Sequence, residues 1–263
     1  MITIAEKINA TIPSTRKIIE ERDTGALLEL ARKQAEAGAD YIDVNVGTGH
    51  GSGADEVDAM TWAVSTIQEE IETPLCIDSA DAAVLEAGLV ARQGRPALIN
   101  STKATEENLA AVAPLAARFK LPLVGLAMDK SGIPTTAEAR LSACRMIADY
   151  CAKLGIGEDQ LFFDPLVVPV STDIKQGKIT LDTIRAISEA LPQAKTVMAV
   201  SNISFGLPQR KRLNGAFIQM AVAAGLDGGI LNVLDRELLG AIRAAEVLVG
   251  KDKHCRRYTR FFR

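Results

Sequence analysis

Eight times between residues 2 and 248, a short apolar run gives way to a stretch with helical periodicity. The runs fall at 2–5, 41–46, 75–77, 97–99, 123–128, 161–163, 196–200 and 227–231. The helical stretches fall at 24–37, 56–72, 81–90, 106–119, 137–154, 181–191, 212–224 and 236–248. In the first of these, Leu27, Leu28, Ala31 and Ala35 form one stripe, and Gly38 follows where a helix C-terminus favours a left-handed residue. Strands that alternate with helices pair in parallel, because each helix carries the chain back across a face of the sheet. Eight such units in 263 residues, with no linker and no break in composition, match the count and size of a closed (β/α)8 TIM barrel. A single domain over residues 1–263 is therefore expected. An open doubly wound sheet is the alternative, but no G-x-G-x-x-G follows the first run.

Composition narrows the roles open to such a barrel. Its 48% hydrophobic content supplies a large core, and a net charge of −3 leaves no broad basic field for nucleic acid or an anionic membrane. No apolar stretch approaches membrane-spanning length, and the N-terminus lacks a basic region followed by an apolar run, so a reduced, cytoplasmic protein is expected. Cys76, Cys144, Cys151 and Cys255 form no C-x-x-C pair, and only His50 and His254 could join them around zinc. Cys144 and Cys151 read most simply as small buried hydrophobes on one helix face. The basic tail, residues 251–263, sets Lys251, Lys253, Arg256, Arg257, Arg260 and Arg263 against Asp252. It reads as a solvated or subunit-packing segment with Phe261 and Phe262 tucked in, a partner patch being the alternative.

What ends each strand carries the chemistry. Glu6, Asp43 with Asn45, Asp78, Asn100, Asp164 and Asn202 lie at or near the C-terminal ends of separate runs, which converge on the face where barrels of this kind hold their sites. Each has a plain alternative: Asp78 or Ser79 could cap a helix, and any Asp or Asn could satisfy a turn. Six strands ending this way argue for a shared purpose. Carboxylates and amides together suit a planar amidine-like edge, N–H donors facing Asp and acceptors facing Asn, as in pterins, purines and guanidines. A hard cation held by Glu6, Asp43, Asp78 and Asp164 is the other possibility. The glycine-rich segment Gly47, Gly49, Gly51, Gly53 lacks the Lys-Ser/Thr ending of a phosphate loop and reads as a mobile loop. Some fifteen residues after Asp164-Pro165 read as a lid or binding loop.

Seven segments occur in order along these units: Glu6-Lys-Ile-Asn9, Asp43-Val-Asn45-Val-Gly47, Cys76-Ile-Asp78-Ser79, Ile99-Asn-Ser101, Lys130-Ser-Gly-Ile-Pro134, Phe163-Asp-Pro165 and Ser201-Asn-Ile-Ser-Phe-Gly-Leu-Pro208. With them the chain resembles, end to end, the pterin-binding methyltransferase family. Within that family it is similar to the methyltetrahydrofolate:corrinoid-protein methyltransferases and to the folate domain of cobalamin-dependent methionine synthase. The resemblance implies tetrahydrofolate or 5-methyltetrahydrofolate as substrate at the barrel mouth, usually in a homodimer. It implies that Asp78, Asn100 and Asp164 hold the pyrimidine edge of the pterin. Asn202 matches the catalytic asparagine beside N5, in the Ser201-Asn202 segment, and Arg210 the nearby loop arginine. Glu6, Asn9, Asp43 and Asn45 match supporting polar positions.

The implied reaction moves a methyl group between N5 and the cobalt of a corrinoid, in a direction the sequence does not fix. Family corrinoid carriers ligate cobalt through Asp-x-His-x-x-Gly. Here His50 and Gly53 have that interval, but Thr48 stands in place of the Asp, so the corrinoid is expected on a separate partner protein. Two other readings stay open. A dihydropteroate synthase shares the pterin barrel and would need Lys130, Arg210, Lys211 or Arg212 for a diphosphate. A non-catalytic folate-binding subunit would have no use for Asn202 at N5.

Overall fold

The computed structural model of the protein describes residues 1–47 and 53–263. Strands β1 (Ile2–Asn9), β2 (Tyr41–Asn45), β3 (Leu75–Asp78), β4 (Ala97–Ala104), β5 (Leu123–Asp129), β6 (Leu161–Asp164), β7 (Lys195–Ala199) and β8 (Gly228–Leu231) are all parallel. They close in sequence order, β8 pairing back onto β1, as the alternation predicts. Outside lie α1 (Pro13–Glu20), α2 (Thr24–Glu36), α3 (Gly53–Glu70), α4 (Ala82–Ala91), α5 (Glu106–Phe119), α6 (Ala137–Lys153), α7 (Gln176–Ala190), α8 (Arg210–Ala224), α9 (Arg236–Leu248) and α10 (Arg256–Phe262). The predicted mobile segment at Gly49 and Gly51, with Thr48 and His50, lies outside the described residues.

Several boundaries differ from the sequence reading, for physical reasons. Helix α1 is too short for its pattern to stand out, and Pro13 opens it where a missing N–H is harmless. Helix α7 begins at Gln176 rather than 181, which shortens the loop after β6 to 165–175; Gln176, Thr180 and Thr183 face inward and break the apolar stripe. Strand β7 stops at Ala199, so Asn202 rides a 3₁₀ turn, Val200–Ser204, instead of a strand end. The basic tail is mostly helix α10, seated on α9: Arg236 lies 5.2 Å over the Phe261 ring, and Gly240 leaves room for the edge of Phe262. Phe262 nevertheless remains 56% exposed, so only Phe261 is tucked in as expected. Cys144 and Cys151 are buried, as predicted.

Successive side chains of a strand alternate between the barrel interior and the helices. Ile4, Cys76, Leu98, Val124, Phe162 and Val197 meet inside as an apolar plug. Full burial of such side chains is worth roughly 1.5–3 kcal/mol each, and the plug closes the barrel's floor. Two residues further along their strands come Glu6, Asp78, Asn100 and Asp164. They share the inward parity and sit one layer nearer the mouth. Strand β1 reaches this level through an irregularity between Ala5 and Ile8, where it gains a residue against β2. The backbone of Lys7, displaced there, is satisfied by Gln34 Oε1 at 2.9 Å and by the Thr15 hydroxyl at 2.9 Å. Helices α1 and α2 thus stabilise the register that brings Asn9 level with Asn45.

Candidate active site

Four polar residues share one rung of the sheet: Asn9 pairs with Asn45, Asn45 with Asp78, and Asp78 with Asn100. Asn45 supports its neighbour, donating Nδ2–H to Asp78 Oδ2 at 2.8 Å while its Oδ1 accepts the Gly47 N–H at 3.0 Å. Both ends of that amide are occupied, so it orients Asp78. Asn9 Oδ1 accepts from the Thr11 N–H and hydroxyl at 2.9 and 2.6 Å, the plain turn-forming role. Helix α4 takes its cap from Asp81, whose carboxylate accepts the Ala83 N–H at 2.7 Å, and neither Asp78 nor Ser79 is drawn into capping. Asp43 lies a layer lower, level with Cys76 and 2% exposed, and its Oδ1 has no partner among the described residues. The structure places it beneath the mouth residues.

Asp164 ends β6 and is buried. Its Oδ1 accepts the Leu166 N–H at 2.8 Å, in a turn that holds Leu166 at a φ of 62°. That turn is gripped by Arg140 of α6, a residue the sequence reading passed over. Its Nη1 donates to the Pro165 and Leu166 carbonyls at 2.8 Å each, its Nε to the Pro134 carbonyl at 2.9 Å, and its Nη2 to Gln176 Oε1 at 3.0 Å. The signal was present: Arg140 sits on the buried stripe of α6 with Ala143, Cys144, Ile147 and Cys151. An arginine at a core position has to be fully hydrogen-bonded.

After β7, the stave next to Asp164's β6, Asn202 is exposed on its turn, its side chain without a hydrogen bond among the described residues. Arg210, at the start of α8, reaches back to the same turn: Nη2 donates to the Ser201 carbonyl at 2.8 Å and Nε to Ser204 Oγ at 3.1 Å. It braces the segment that carries Asn202. Glu6, Ser201, Arg210, Asn214 and Asn232 line a cavity of about 220 Å³ at this edge. Across the mouth a larger groove, about 860 Å³, runs over the loops after β3, β4 and β5 and is flanked by Lys103 and Lys130. Among the described residues no group of three or more His, Cys, Asp or Glu is arranged to hold a metal ion.

A family profile described as "Pterin binding enzyme" matches residues 5–232, from within β1 to just past the end of β8. The chain belongs to the pterin-binding enzyme family. It is 36% identical, over 100% of its length and 96% of the relative's, to a methylcorrinoid:tetrahydrofolate methyltransferase of Eubacterium limosum. It is also 30% identical to methionine synthase of Mycobacterium tuberculosis, over 88% of this chain but only 20% of that much longer protein. Among solved structures, a 7,8-dihydropteroate synthase from Vibrio fischeri superposes with a TM-score of 0.74, covering 96% of this chain and 94% of that one. A Yersinia pestis dihydropteroate synthase gives 0.73 over 95% and 94%. At 18% identity each, these two neighbours speak to the fold alone.

The acids of the barrel mouth share an unusual titration. Burial pushes Asp164 up to about 7, against the opposing pull of the Leu166 N–H and the Arg140 charge. Burial likewise pushes Asp78 to about 6, with the Asn45 hydrogen bond holding it down. Glu6 is raised by burial and eased back by Lys7 and Arg210. Asp43 is raised well above the ordinary range by burial and then by the Asp78 charge beside it. Carboxyls poised around neutrality can surrender protons to accept N–H donors from a ligand. A flat heterocycle with several such donors is the partner this chemistry fits.

Proposed function

We propose that this protein is a methyltransferase that moves a methyl group between N5 of tetrahydrofolate and the cobalt of a corrinoid carried by a separate protein. The reading rests on the 36% identity that runs the whole length of the chain to a methylcorrinoid:tetrahydrofolate methyltransferase. In this reading Asp78, Asn100 and Asp164 take the pyrimidine edge of the pterin. Asn45 fixes Asp78, and Asn202 faces N5.

N5 of a tetrahydrofolate is a poor leaving group as a neutral amine, so transfer requires a hydrogen bond or proton at N5 by the transition state. An amide supplies no proton, but Asn202, whose side chain has no hydrogen bond among the described residues, can turn to meet the charge developing there. One such contact is worth roughly 2.7–4 kcal/mol of barrier. Glu6, in the cavity beside Ser201, is the mouth acid on the Asn202 side. Arg210 keeps the turn in place rather than binding substrate directly. Asn9 and Asp43 shape the mouth from its edge and its floor. The same reading carries a cytoplasmic homodimer with one site per barrel, which light scattering tests.

A dihydropteroate synthase would gather cations for a diphosphate. Here Arg210 is tied to Ser201 and Ser204, Lys211 lies 3.8 Å from Asp235, and Lys130 stands in the separate groove. The deciding experiment mixes the purified protein with 5-methyltetrahydrofolate and a reduced corrinoid protein and follows the cobalt spectrum. Conversion to methylcobalt supports the proposal. No conversion in either direction, with p-aminobenzoate and pterin diphosphate condensed instead, refutes it.

A further inference from the structure

We propose that Arg140 is a positioning residue for the pterin site, acting through Asp164. The proposal deepens the folate reading and rests on it. Arg140 is 0% exposed, and its guanidinium joins three separate segments at the mouth: the loop after β5 at the Pro134 carbonyl, the turn after β6 at the Pro165 and Leu166 carbonyls, and the start of α7 at the Gln176 side chain. All four acceptors are neutral. The charge that acts on it is the Asp164 carboxylate, and each opposes the desolvation of the other.

The chain of contacts is short. Arg140 fixes the Pro165 and Leu166 carbonyls, so the Leu166 peptide cannot rotate. The Leu166 N–H then holds Asp164 Oδ1 at 2.8 Å, which leaves Oδ2 for a ligand. Leu166 has a left-handed backbone that a side chain with a Cβ disfavours, and a turn of that kind relaxes when its restraint is removed. Gln176 completes the clamp from α7, its own amide donating to Asp173 Oδ2 at 3.2 Å, while the Thr180 hydroxyl donates to the Gln176 carbonyl at 3.0 Å. A lysine at 140 would keep the charge but could not span these acceptors, because its donors radiate from one nitrogen.

The test is a double-mutant cycle of R140K and D164N, read as the dissociation constant of 5-methyltetrahydrofolate. R140K alone should weaken binding about tenfold, and less than about twofold when Asp164 is already Asn, since the two changes remove one interaction. Equal losses in both backgrounds would make Arg140 merely structural and overturn the proposal. A second readout needs no folate: hydrogen exchange at the Leu166 amide should speed up in R140K while the amides of α6 keep their protection. Unchanged exchange there also overturns it. Faster exchange with a wild type that fails to bind folate would sink the folate reading and leave the clamp standing. Should R140K not fold, Q176A removes one acceptor from the same clamp and goes through the same cycle, with a loss of about threefold expected.

Discussion

Asp164→Asn should stabilise the ligand-free protein while weakening, without abolishing, its affinity for folate. The carboxyl titrates at about 7 in the folded chain against the usual 3.8, because burial disfavours its charge. At about 1.4 kcal/mol per pH unit, ionised Asp164 carries a penalty of about 4 kcal/mol. The sign follows from which state binds the proton more tightly. A raised folded pKa contributes stability that is complete below 3.8 and is lost as pH climbs through about 7. Asparagine has no charge to bury, and its Oδ1 can still accept the Leu166 N–H. Its new amide donors, partly unpaired, offset about 1–3 kcal/mol of the gain. The net gain at pH 8 is therefore about 1–3 kcal/mol, and the advantage over wild type should grow by about 2.5 kcal/mol between pH 5 and pH 8. Urea unfolding of both proteins without ligand at those two pH values measures this directly. Parallel pH dependence in the two proteins would refute the claim that Asp164 is held against its charge. An advantage of the variant that shrinks between pH 5 and pH 8 would refute it equally.

Three further outcomes follow from the same geometry. Asn202→Ala should lower methyl transfer by about 10²-fold with folate affinity changed much less, since the amide acts where charge develops; stopped-flow spectra of the cobalt and a fluorescence titration separate the two effects. Folate affinity should rise with pH between about pH 5.5 and 7.5 and then level, because Asp78 and Asp164 accept N–H donors with charge and with both oxygens only when ionised; calorimetry at pH 6 in buffers of different ionisation enthalpy should detect released protons. Asn45→Ala removes the donor to Asp78 Oδ2, a charged hydrogen bond worth about 1.5–3 kcal/mol. The same titration should then show roughly tenfold weaker binding or more, with the pH midpoint moved upward.

The barrel was legible in the sequence because alternation is a global signal: eight repeats survive errors in each one. Asp78, Asn100 and Asp164 were legible for the same reason, as polar residues that end successive apolar runs; their place two residues beyond the inward Cys76, Leu98 and Phe162 came with the structure. What local pattern could not show was how a polar group is used. Asn45 and Asp78 both stand at strand ends, yet one serves the other, and only the register across β2 and β3 shows it. Asn202 reads as a strand terminus until the chain is seen to turn at Val200. Arg210 reads as a mouth cation, but a side chain of that length can fold back, and it does. Arg140 and Gln176 were hidden for the opposite reason: a polar residue on an apolar stripe looks like noise, although burial there demands a complete set of partners.

The placement of the acids against the asparagine bears on how such an enzyme has to work. Asn100 and Asp164 are 7% and 8% exposed, held by a sheet rung and a clamped turn, whereas Asn202 stands open on a braced 3₁₀ turn. A ring anchored by its pyrimidine edge at the buried positions would leave its other side toward the rim. Groups that bind gain from being buried and preorganised, because each unpaired donor or acceptor on either partner then counts heavily against a wrong ligand. A group that must follow developing charge gains from being free to rotate until the second reactant arrives. On the proposed reading, methyl transfer should stay slow until the corrinoid protein covers the rim and excludes water from Asn202. Turnover should therefore depend on the carrier's concentration far more steeply with the whole carrier protein than with free cobalamin at equal cobalt, and equal rates with the two would refute that division.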